Sequence, residues 1–168
     1  MNNDPIYIDN AGLVILSPFL KQLFDGLKFI ENDAFIDSSY QSMTPRYLHY
    51  LISETTDVSE SELVLNKLLC GLSPTAIISE TIEISKEQKE LLDGLLQAVI
   101  NHWTTIKNTS AQGLQQTFLQ REGILVEGAD AWKLTVERKA YDILLDQVPF
   151  SFHTIYLPWM PKPIHVEW

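Results

Sequence analysis

Pro158, Pro161 and Pro163 constrain this chain more than any other feature. Each removes a backbone donor and fixes φ, so neither a helix nor a central strand can run through residues 158–163. The backbone there is expected to be extended or polyproline-like. Trp159, Met160 and Trp168 lie in and beyond this stretch. Chain ends fray unless something ties them down, so two indoles here need burial. That burial is either in the domain's own core or in a partner. Trp159, Met160, Pro161, Ile164 and Trp168 are therefore the candidate protein-contact residues, and both readings stand open.

A chain of 168 residues, 45% of them hydrophobic, supports one domain with a real core, read as residues 1–168. The formal net charge of −10 with a pI near 4.7 argues against nucleic acid and anionic membrane as partners, because phosphate binding needs clustered Lys and Arg. Cys70 is the single cysteine, which excludes an internal disulfide and fits a reducing compartment. No signal-peptide pattern precedes the first motifs, and the longest apolar run covers only residues 13–16. The expectation is a soluble protein made in the cytoplasm.

Residues 6–8 read as an edge strand, with Asn10 able to cap the next segment. Ser17 and Pro18 form a cap-plus-proline pair before a helix bearing Phe19, Leu20, Leu23, Phe24 and Leu27. Residues 32–42 are polar and aperiodic, hence a loop. Thr44 and Pro45 repeat the start device for a helix with Tyr47, Leu48, Leu51 and Ile52 on one face. Ser59 with Glu62 offers a capping box, and Gly71 stops the helix of residues 63–70. Residues 75–84 are a β-branched connector. Ser85 with Gln88 is a second capping box, opening the longest helix through Trp103. Ser110 caps a further helix with Leu114, Phe118 and Leu119, closed by Gly123. Beyond it the period changes to two. Residues 124–127 and 132–137 form a hairpin, with Trp132, Leu134 and Val136 on its buried face. A short helix at 141–145 leads to strands at 152–156 and 164–168. The predicted fold is α+β: about five helices over residues 1–123, then a small antiparallel sheet over 124–168 with an aromatic, proline-rich tail.

No constellation of catalytic residues stands out. His49, His102, His153 and His165 are scattered without metal-ligand spacing, and Cys70 on a leucine-rich helix reads as a buried inert thiol. The glycines are dispersed, with no phosphate-cradling loop; Gly94, inside the long helix, marks either a close helix crossing or a tolerated weakness. Arg121 with Glu122, and Glu137-Arg138-Lys139, read as a solvated strand end and turn, with Arg138 able to hold an acidic partner or a helix C-terminus. The residues point to no enzyme, cofactor or metal. A small enzyme or ligand-binding domain assembled only in three dimensions is the alternative.

Several stretches together resemble one family. They include residues 8–16 with Pro18-Phe19-Leu20, then Leu63-Val64-Leu65-Asn66-Lys67-Leu68-Leu69-Cys70-Gly71, residues 95–100 with His102-Trp103, and Lys107-Asn108-Thr109-Ser110. Phe118-Leu119-Gln120-Arg121-Glu122-Gly123, Val136-Glu137-Arg138-Lys139 and the terminal residues 157–168 continue the series. Their order is similar to the C-terminal region of tape-measure proteins of contractile injection systems, the phage-tail-like particles that puncture other cells. The resemblance implies a structural role: docking to inner-tube or baseplate-hub proteins, or to an assembly chaperone, and helping to set or initiate tube assembly. It implies a place in the cytoplasm during assembly and inside the released particle afterwards. A cargo adaptor of the same particle is a further alternative. Wholly helical, 168 residues would reach only about 250 Å, so a long ruler is missing. Either this is an excised terminal domain or a short homologue with the anchoring role.

Overall fold

Two layers meet along a buried 3₁₀ segment, Ala11–Leu16, every residue of which is inaccessible. The computed structural model describes residues 3–168. Strand β1 (Ile6–Ile8) leads into that segment, which runs directly into helix α1 (Ser17–Gly26). Because no free helix end exists there, Ser17 is the first helical residue and caps nothing; Pro18 fits the first turn as expected.

Residues 30–35, expected in part as loop, form a β-hairpin of β2 (Ile30–Glu31) and β3 (Ala34–Phe35). Asn32 and Asp33 turn it at φ values of 52° and 63°, the left-handed geometry such two-residue turns require. Helix α2 (Ser38–Ser53) then starts well before Thr44, with Asp37 accepting from the Ser39 amide. Pro45 lies inside this helix. It cannot donate back to Gln41, but the Thr44 hydroxyl donates to the Tyr40 carbonyl at 2.6 Å, and the helix continues. Glu54, at φ 59°, ends it.

The capping box expected at Ser59 does not form. Ser59 Oγ pairs with Ser61 Oγ, and helix α3 (Val64–Leu69) begins after a separate 3₁₀ turn, Glu60–Glu62. Gly71, at φ 78°, stops α3 as expected. Ser85 and Gln88 do form the reciprocal box that opens α4 (Lys86–His102). Ser110 caps α5 (Ala111–Leu114), which passes into a π-helical turn, Gln115–Leu119. Gly123 does not close this helix; it is the buried first residue of strand β4 (Gly123–Glu127).

The alternation at residues 132–137 is borne out. Strand β5 (Trp132–Val136) buries Trp132, Leu134 and Val136 and pairs antiparallel with β4. The 3₁₀ segment Ala140–Gln147 comes next, then β6 (Thr154–Ile155) and β7 (Ile164–Glu167). The sheet order is β1-β4-β5-β7-β6. The architecture is α+β, as read, but the sheet is mixed: β7 runs parallel to β5. Residues 137–163 are long enough to cross over and return in the same direction, which a tight hairpin cannot do. One sheet face packs on Ala11–Leu16 and the helices; the other is open.

Gly12 sets the spacing of the layers. A Cβ there would stand 1.8 Å from the Phe118 carbonyl oxygen, so the two backbones touch. Gly94 lies in open space with nothing within 4 Å of a Cβ, which removes the close-crossing reading.

Candidate protein-interaction surface

Each of the tail's two indoles is fastened to the domain. The Trp159 indole donates to the Leu69 carbonyl at 2.8 Å and packs between Phe24 and Phe35. Its own carbonyl rests on Gly71, where a Cβ would come within 2.4 Å. Gly71 therefore serves twice, in the left-handed turn and as the seat of the tail. Met160 and Ile164 are buried, Pro161 is exposed, and Trp159 and Trp168 are partly exposed. The structure thus divides the five candidate contact residues between core and surface.

The second fastening centres on Arg121. Read from sequence as solvated, it is 1% exposed. Its guanidinium makes a bidentate pair with Asp142 at 2.6 and 2.9 Å and donates to the Glu137 and Thr117 carbonyls. Phe118, Tyr141 and Trp168 surround it, with Trp168 nearest at 5.1 Å. Asp142 also accepts from the Lys139 amide and the Trp168 indole. Burial pushes the Asp142 carboxyl up, but these hydrogen bonds and the Arg121 charge together hold it below its ordinary value. Arg138, read as able to hold an acidic partner or a helix C-terminus, instead donates to the Trp168 backbone oxygen at 3.1 Å, just past strand β7. A periodicity argument could not find Arg121, because Glu137 and its counter-ion Asp142 lie 16 and 21 residues away. Trp168 was the available signal: an indole N–H needs an acceptor once its ring is buried.

The open sheet face carries two rows of side chains set by register. Tyr7, Ile124 and Thr135 lie opposite one another. Asp9, Glu122 and Glu137 lie two residues along each strand, all exposed. A cleft of about 360 Å³ lies over them, lined also by Ile8, Gly123 and Val136. Tyr7 is 75% exposed and Ile124 36%. Toward β7 the face is charged, with Lys133 and Glu167 paired at 2.9 Å. A second cleft, about 340 Å³, opens on the helical side of β1 among Tyr7, Ile8, Asp9, His49, Ile52 and Glu62.

This second cleft holds the nearest approach to catalytic side chains. His49 Nε2 lies 2.9 Å from Ser53 Oγ, one turn along α2. Burial lowers the His49 pKa. His102, His153 and His165 are exposed; His102 Nδ1 meets the Ala98 carbonyl, and His153 and His165 lie on paired segments, where His165 Nδ1 meets Thr154. Among the described residues no group of three or more His, Cys, Asp or Glu side chains is disposed to hold a metal ion. Cys70 is fully buried and burial pushes its thiol pKa well up, so it is a poor nucleophile. Among the described residues no helix is long and apolar enough to cross a membrane.

Comparison with known proteins agrees with a structural role. Searches of curated proteins and of solved structures return no match. A scan against family models matches residues 1–168 to "Contractile injection system tape measure protein". Spanning the whole sequence, that match means the chain belongs to the tape measure protein family of contractile injection systems.

Proposed function

We propose that this chain is a docking domain of the phage-tail-like particle, binding inner-tube or baseplate-hub proteins and helping to initiate tube assembly. One observation carries the reading: a chain matched throughout to a tape measure family is folded into short elements. Its longest helix, α4, has 17 residues and spans about 25 Å. Such a shape suits an anchor and cannot measure a tube by its own extent. The buried part of the tail, Met160 and Ile164, fixes the domain's shape, while Pro161 and the outer edges of Trp159 and Trp168 are available to a partner. A stiff, aromatic surface loses little entropy when it docks. During assembly the domain works in the cytoplasm and is then enclosed in the particle.

The test is assembly of the particle's tube, sheath and baseplate proteins with and without this chain. The expected result is that tube and baseplate components co-purify with it, and that tubes fail to initiate or lose their uniform length without it. Normal tubes in its absence, with no component recovered on the purified protein, would sink the reading.

A further inference from the structure

Strand β1, three residues long and preceded by Pro5, is a sheet edge. It pairs only with β4 among the described residues, so its other side presents free backbone donors and acceptors. Natural edges are commonly blunted by lysines, bulges or a covering element. Here the edge carries Tyr7, one of the most exposed large hydrophobic residues of the chain, paired in register with exposed Ile124.

The clefts on either side of β1 meet along this strand, sharing Tyr7, Ile8 and Asp9. One spreads over the open sheet face and the other lies toward α2 and the Glu60–Glu62 turn. This is the arrangement that strand addition uses: backbone bonds along an edge, with alternate side chains of the added segment directed to opposite faces. The linings also carry a sign. Asp9, Glu122 and Glu137 line the first cleft and Asp9 and Glu62 the second, and no Lys or Arg lines either. The carboxylates are spread across the ends of three neighbouring strands and do not converge as a metal site would. Their charge is complementary to a cationic polypeptide.

We infer that β1 is the docking edge for an extended segment of a partner protein that carries an apolar side chain and a Lys or Arg two residues apart, on one face. The segment would add as a sixth strand beside β1, with an apolar side chain beside Tyr7 and, two residues along, a cation beside Asp9 that reaches toward Glu122. This rests on the proposed docking function and specifies where and by what chemistry the domain docks.

The experiment places a photo-reactive benzoylphenylalanine at position 7 of the full chain and co-assembles it with the particle's tube and baseplate proteins. Irradiation and peptide mass spectrometry then identify what lies against the strand. The same residue at position 77, where Ile77 is 91% exposed in the connector, serves as the control. The expected result is a cross-link from position 7 to a Lys- or Arg-bearing, non-helical segment of a tube or baseplate protein. In a background of Asp9→Lys with Glu122→Lys its yield should fall at least about tenfold, as for the loss of steering charges, while the melting temperature is unchanged. A cross-link between two copies of the chain, or to an acidic or helical segment, overturns the inference. So does co-purification with no cross-link specific to position 7, which leaves the docking function standing. If no tube or baseplate component is recovered at all, the docking function falls and this inference with it.

Discussion

Two distant stretches of the chain enter the same sheet and are treated oppositely. Ile6–Ile8 lies at an edge, joined by one ladder and showing Tyr7 to solvent. Ile164–Glu167 lies inside, between β5 and β6, and the residue after it is held by Asp142 and Arg138. The difference separates two jobs. An interior strand with a buried ion pair beside it can move only if the fold opens, so it defines the domain. An edge strand with one neighbour keeps its other side available for a partner.

Substitutions at the two strands should therefore fall on opposite sides of the stability scale. The largest effect is expected for Asp142→Ala. It leaves the Arg121 guanidinium buried without its anion and should cost about 3–5 kcal/mol in urea unfolding. A loss below about 1 kcal/mol, the range of an exposed pair, would mean the interior strand is held by its ladder alone.

Acid should act on the same point more gently. The folded carboxyl of Asp142 titrates below its ordinary value near 3.8, so the stability it contributes is complete above the unfolded pKa. That contribution is lost as pH falls through the lower folded pKa. The Asp142→Asn variant should lose less stability than the parent between neutral pH and pH 3, read from denaturant midpoints across pH. Parallel curves for the two proteins would remove Asp142 from the acid response.

Trp168→Phe is expected to cost about 1 kcal/mol, since it keeps a ring near Arg121 and loses the indole bond to Asp142. Smallest of all, Tyr7→Lys should shift stability by no more than about 0.5 kcal/mol, as for a surface position. If thermal unfolding showed the edge substitution costing as much as Trp168→Phe, the contrast between the two strands would disappear.

What the sequence disclosed depended on how local the cause was. The Ser85–Gln88 box, the Gly71 stop and the alternation of Trp132, Leu134 and Val136 are each decided within a few residues, and each is present. Pro45 misled because a helix-start rule was applied where an established helix, closed from Asp37, could tolerate the missing donor. Ser59 misled for the converse reason: the local pattern was right, but another serine took its hydroxyl. The parallel alignment of β7 is set by a crossover, which no window along the chain reveals. At the candidate surface, the tail residues were legible as needing burial. The edge strand at residues 6–8 was legible too, but the carboxylate row was not, because Asp9, Glu122 and Glu137 come together only through strand register.

The place of β7 in the sheet also fixes an order of events during synthesis. Strands β4 and β5 are neighbours in sequence and can pair as soon as both have left the ribosome. Until residues 164–167 emerge, β5 has an open side, and β6 has nothing to join, because its link to the sheet passes through β7. The nascent chain therefore passes through a stage in which Trp132 and Leu134 border an unsatisfied strand, the kind of surface that aggregates or recruits a chaperone. Four residues translated late decide when that stage ends.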